Sequence, residues 1–160
     1  SVIAAAKETR ERLNLAGFTA FVKTSGGKGL HVVAPVKPKA GWPAVKTFAK
    51  SIADSMAADS PDRLVSTITK SKRRGKILVD YLRNQRGATA IAPYSTRARP
   101  GAAVSMPLAW EELSPAIGPA YFTVMNAPTR LAALRTGPWE GFRAAAVPLD
   151  ETRPVPKKAT

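Results

Sequence analysis

The chain has 160 residues, with 25 Lys and Arg against 11 Asp and Glu, a formal net charge of +14 and a pI near 10.7. That length, at 44% hydrophobic content, suits one domain with its own core. The absence of cysteine excludes a disulfide framework and thiolate zinc sites and fits a reducing cytosol. No apolar run reaches the ~18 residues of a membrane span, and no basic-then-apolar leader opens the chain. The charge asks for anionic partners: DNA, RNA or nucleotides, with a membrane surface or a merely solvated basic face as the blander readings.

Taken in order, Ser1–Ala16 is predicted as a helix: Val2, Ile3, Ala6, Leu13 and Ala16 make an apolar stripe, Glu8 stands four residues before Arg12, and Gly17 supplies the stop. Its abrupt start suits a chain cut from something longer as well as it suits a capping serine. Phe18–Lys23 alternates as a strand does, Thr24–Gly29 is a tight glycine loop, and Leu30–Val36 is a second strand. Trp42–Ala58 is predicted as a helix that packs through Val45, Phe48, Ala49, Ile52, Ala53 and Met56. Ser60, Pro61 and Asp62 have the order of a short helix start. Ile77–Val79 is a core-bound strand that delivers Asp80. Trp110–Leu113 suits a helical turn, and Phe122–Leu134 two helical pieces broken at Pro128. Trp139 and Phe142 are expected to pin the C-terminal segment to a body of residues 1–149, followed by a disordered Pro- and Lys-rich tail over 150–160. The rhythm of elements is α+β, without internal repeats.

Two stretches concentrate the chemistry. In Ser25-Gly26-Gly27-Lys28-Gly29-Leu30-His31 small residues let backbone N–H groups approach a ligand, while a hydroxyl, an ammonium and an imidazole can face it. The loop lacks P-loop spacing and precedes a strand, so taken alone it is equally a structural hairpin turn. His31, the sole histidine, reads as a phosphate donor in these cationic surroundings. In the second stretch Asp80 is ringed by Lys70, Lys72, Arg73, Arg74 and Lys76 before it and Arg83, Arg86, Arg97 and Arg99 after it. A buried carboxylate needs a cation, either one of these arginines or a metal ion. Arginine forks suit phosphate oxygens, which makes Arg73, Arg74 and Arg97 candidates for a triphosphate or a DNA backbone; Arg97 is equally suited to an internal ion pair. Lys72, Arg74, Arg97 and Arg99 are the candidate DNA contacts. Glu8 and Glu11 read as one polar helix face and the remaining acids lie elsewhere, so Asp80 has no partner carboxylate and cannot by itself hold two metal ions.

The segments SGGKGLHV, KRRGKILVDYLRN and TAIAPYSTRARPGAAVSMPLAW in combination resemble the polymerase domain of bacterial DNA ligase D, in the archaeo-eukaryotic primase superfamily, and the resemblance extends to about Leu149. It implies a partial, primase-like α+β domain with helices packed on a sheet. It also implies triphosphate contacts for Ser25, Lys28 and His31, the role of third metal-binding and catalytic aspartate for Asp80, and a nucleotide or template contact for Arg73. The family's Asp-x-Asp pair has no counterpart in this sequence. The parent protein is then expected to be a nucleotidyltransferase of the bacterial cytoplasm that fills or extends DNA ends with NTP or dNTP, preferring ribonucleotides. It would use manganese or magnesium and act with Ku and an attached ATP-dependent ligase module. This chain alone is expected to be inactive, to hold no divalent ion tightly, and to expose a sheet edge through which it self-associates. A free-standing basic DNA-binding module is the alternative; an RNA-coating protein is disfavoured, because coating has no use for the His31 loop or a buried acid.

Overall fold

Local chemistry closes the first helix, α1 (Val2–Leu15), at both ends. Ser1 Oγ accepts the Ala4 N–H at 3.3 Å. At the other end Gly17, with φ +90°, donates its N–H to Asn14 O while Phe18 N–H reaches back to Leu13 O, the paired bonds of a Schellman turn. A computed structural model describes residues 1–152, so most of the expected tail lies outside the described residues. The chain continues through β1 (Phe21–Thr24), β2 (Leu30–Val33), α2 (Trp42–Asp59), β3 (Leu64–Val65), β4 (Ile77–Leu78), β5 (Pro107–Leu108) and α3 (Ala127–Ala133). Single 3-10 turns stand at Lys70–Lys72 and Trp110–Glu112.

The strands form two separate sheets. One is antiparallel in the order β2-β1-β5, with Lys23 opposite His31 and Thr24 opposite Leu30 across the glycine hairpin, and Val22 opposite Leu108 on the other side. The other is a short parallel pair, Leu64 opposite Ile77 and Val65 opposite Leu78. Helix α1 packs on β2, and α2 packs on β3. Val22, Val104, Met106, Leu108 and Phe122 make one core cluster; Ala5, Ile52, Met56 and Leu64 make the other, between α1, α2 and the parallel pair. Each such large aliphatic side chain contributes about 1.5–3 kcal/mol on leaving water. Trp139 and Phe142 act as the expected anchors: they stack on each other at 5.0 Å, Phe21 meets Trp139 tilted at 5.8 Å and Phe142 edge-on at 5.0 Å, and Trp139 Nε1 donates to Val22 O at 2.9 Å.

Four local expectations change. Leu30–Val36 pairs with β1 only as far as Val33, with Pro35 just beyond, and Val36 makes an isolated parallel bridge to Val147 instead. Ser60–Asp62 forms a turn into β3, in which Ser60 O accepts from both Arg63 and Leu64, rather than a helix. Pro128 opens α3 instead of breaking a longer helix, because a missing N–H costs nothing in a first turn. Glu8 does not lie on a polar face: it and Arg12 are 7% and 1% exposed, since α2 crosses here. Arg12 donates to Glu8 at 2.9 Å and to Asp59 at 2.7 Å, tying α1 to the end of α2.

Candidate functional site

The β1–β2 hairpin is held by Ser25. The residue is 5% exposed, and its Oγ accepts the N–H groups of Gly27 at 3.1 Å and Gly29 at 3.2 Å. The amides expected to face a ligand at these two positions therefore serve the loop, and Ser25 keeps only its hydroxyl hydrogen to offer outward. Gly26 sits at φ +67°, and a Cβ there would lie 3.0 Å from Arg97 Cγ and 3.2 Å from Ala103 O, so only glycine fits. Arg97 Nε donates to Ser25 O at 2.9 Å, and its two terminal nitrogens have no hydrogen-bond partner among the described residues. It makes no ion pair there either, which removes the internal-pair alternative among the described residues. Arg99 reaches the same loop, its Nη1 3.9 Å from where a Cβ on Gly27 would stand.

Asp80 departs from the sequence reading. The parallel ladder ends with Val79 N–H donating to Val65 O, so Asp80 steps off the strand end and is exposed rather than buried. Its Oδ1 accepts the Leu82 N–H at 2.9 Å, and it has no salt bridge among the described residues. No buried charge therefore demands a cation at this point. Asp80 opens instead onto a cleft of about 500 Å³ bounded by α1, the hairpin and β4, which Lys28, Arg73 and Lys76 also line. Lys72 and Arg74 turn away, onto a second cleft on the Pro61 and Ser66 side of the parallel pair.

His31 is half-buried. Burial, then the charges of Lys23 and Arg97, push its imidazole down to about 4, with Arg83 adding to the effect and Asp80 opposing it. At neutral pH it is thus an uncharged ring able to donate one N–H. Its cross-strand neighbour is Lys23, the last residue of the alternating run that begins at Phe18. It is 4% exposed, its ammonium donates to Ile91 O and Ser105 Oγ at 2.7 Å each, and burial followed by Arg97 pushes it down to about 8. Counting outward from the centre of the glycine loop would have set Lys23 opposite His31; its burial depends on residues 91 and 105 and has no local signal.

The cleft thus gathers Lys28, Arg73 and Asp80, while Ser25, His31, Arg97 and Arg99 cluster around the loop beside it. A metal site tests poorly against this geometry. Among the described residues no group of three or more His, Asp or Glu side chains is placed to hold a metal ion. A two-ion phosphoryl-transfer centre needs more carboxylate than Asp80 supplies.

An α+β core with a glycine hairpin facing a strand-end carboxylate is the class of architecture these elements define. The family described as the LigD primase-polymerase domain matches residues 1–139. The chain is 43% identical over 127 residues to the multifunctional non-homologous end joining protein LigD of Pseudomonas aeruginosa, covering 79% of this chain and 15% of that protein. It is 32% identical over 123 residues to the bifunctional non-homologous end joining protein LigD of Bacillus subtilis, covering 76% and 20%. The polymerase domain of Mycobacterium tuberculosis ligase D, solved in complex with DNA, superposes with a TM-score of 0.80 at 34% identity, over 90% of this chain and 50% of that one. The chain belongs to the LigD primase-polymerase domain family, and it spans only a minor part of the full-length relatives and half of the solved domain.

Proposed function

We propose that this chain forms the nucleotide-binding side of a nucleotidyltransferase site that fills DNA ends. The observation that carries the reading is the shared cleft: three cations, Lys28, Arg73 and Lys76, open beside the carboxylate of Asp80, although hairpin and strand belong to different sheets. Lys28 and Arg73 would hold the triphosphate of an incoming NTP or dNTP, with His31 and the Ser25 hydroxyl donating to it and Arg97 supplying a free fork at the loop. Asp80 would be one ligand of a manganese or magnesium site completed by carboxylates from outside these 160 residues, since one carboxylate alone does not fit the task.

By itself the chain binds nucleotide without transferring it. Calorimetric titration with a nucleoside triphosphate tests the first half, and a primer-extension assay tests the second: templated addition by the 160-residue chain would overturn it. DNA as partner is supported by the DNA bound to the M. tuberculosis domain and by the exposed basic segment at 70–76. Lys72 and Arg74 would then serve a backbone separate from the nucleotide, whereas Arg97 and Arg99, next to the glycine loop, serve the nucleotide better than DNA. The parent protein would work with Ku and an attached ligase module, a reading supported by the non-homologous end joining named for the relatives. Strand β2 is an edge of its sheet, and self-association would use that edge; a strictly monomeric sedimentation profile at high concentration would count against it.

A further inference from the structure

We propose that Lys23 is a positioning residue of the anion site: a buried ammonium without a carboxylate partner that ties the 85–93 segment to the main sheet and whose charge is neutralised only when phosphate enters beside His31 and Arg97. The inference rests on the nucleotide-site reading above. Lys23 is 4% exposed and lies directly opposite His31 in the hairpin register. Its ammonium donates to Ile91 O on one side and to Ser105 Oγ on the other, and Ser105 in turn donates to Thr24 O at 2.8 Å. Both acceptors are neutral. No carboxylate forms a salt bridge with Lys23 among the described residues. The charged side chain acting on it is Arg97, of like sign, and around His31 the further charges are Arg83 and, of opposite sign, Asp80.

Such a charge is costly to keep. An uncompensated buried cation destabilises a fold unless something offsets it, and an apolar residue of similar length often serves stability as well or better. Met in place of Lys23 would fill the same space. The hydrogen bonds explain how Lys23 is held; they do not explain why the position carries a charge at all. An entering polyphosphate would supply the missing counter-charge next to a strand whose two facing positions, Lys23 and His31, are both depressed towards their neutral forms. Binding should therefore favour charged Lys23, so that anion affinity is full below its ligand-free titration near 8 and declines above it.

The test uses the 160-residue chain, inorganic tripolyphosphate as probe, and calorimetry at pH 7 and pH 9. Native affinity is expected to fall about five- to tenfold between the two. Tripolyphosphate only gains negative charge over that range, so a fall must come from the protein. Lys23→Met is expected to bind about tenfold more weakly at pH 7 and to lose the decline. Native chain that binds equally well at both pH values, or a folded Lys23→Met matching native affinity and profile, overturns the role of Lys23 while leaving the nucleotide site standing. Failure of the native chain to bind tripolyphosphate at pH 7 removes the nucleotide-site reading and this inference with it. If Lys23→Met does not fold, the native profile alone decides.

Discussion

Lys28, at the tip of the hairpin, and Asp80, just past the parallel pair, line one cleft although they belong to elements of separate sheets. Helix α1 is what brings them together. It packs on β2, and its Ala5 joins the cluster that contains Leu64 and is flanked by Ile77 and Val79. Small residues on that helix face, Ala5 and Ala6, leave room for the cleft between the two sheets.

If Lys28 and Arg73 grip a triphosphate, each alanine variant should weaken nucleoside-triphosphate affinity about tenfold or more, the size of a lost charge-assisted hydrogen bond. Both side chains are exposed, so melting temperatures should hold. Calorimetry with each variant checks both expectations; unchanged affinity in the double variant would remove the cleft from the binding site.

Gly26→Ala should destabilise the chain by about 1–2 kcal/mol through its left-handed φ alone. It should also displace Arg97, whose Cγ would stand 3.0 Å from the new Cβ. Gly118→Ala is the control: nothing lies within 4 Å of a Cβ there, and stability should move by less than about 0.5 kcal/mol. Urea unfolding of both variants, with nucleotide binding for the first, separates strain from loss of the site.

Removing Arg12 takes the nearer cation from a buried acid. Arg12→Ala leaves Glu8, 7% exposed, with only the longer contact to Arg63 at 3.7 Å. A loss of about 3 kcal/mol follows, at the lower end for a broken buried pair because Asp59 is 39% exposed. Replacing both members, Glu8→Met with Arg12→Met, should cost clearly less. Equal losses in the two variants by chemical denaturation would refute the ion-pair account.

His31 makes stability depend on acid pH. Its folded value, about 4, lies below the ordinary 6.5, so the unfolded chain takes up the proton first. The stability it contributes is full above 6.5 and is lost as pH falls from 6.5 towards 4. Partial exposure discounts the loss at pH 5 to about 1 kcal/mol. Denaturation curves at pH 7 and pH 5 should show that loss in the native chain and not in His31→Gln.

Duplex DNA binding, measured by fluorescence anisotropy across a salt series, should weaken with a log–log slope of about −0.9 per phosphate contacted. Lys72→Ala with Arg74→Ala should flatten that slope by about 2, leaving nucleotide affinity unchanged, because these side chains line the other cleft. An affinity indifferent to salt would exclude an electrostatic mode of binding.

What the sequence determined by itself was everything written in neighbouring residues. The helix at 42–59 announces itself through Ile52, Ala53 and Met56 at helical spacing, the hairpin through its glycines, and the partner class through net charge. The family, too, was legible in three short segments. Tertiary structure alone decided who meets whom. Nothing local says that Ile77 pairs in parallel with Leu64 and so leaves Asp80 exposed at a strand end, that α2 crosses α1 and buries Glu8 with Arg12, or that Ile91 and Ser105 close over Lys23. The physical reason is that side-chain period assigns a residue to a face, whereas burial and pairing are fixed by segments tens of residues away whose approach that period does not encode.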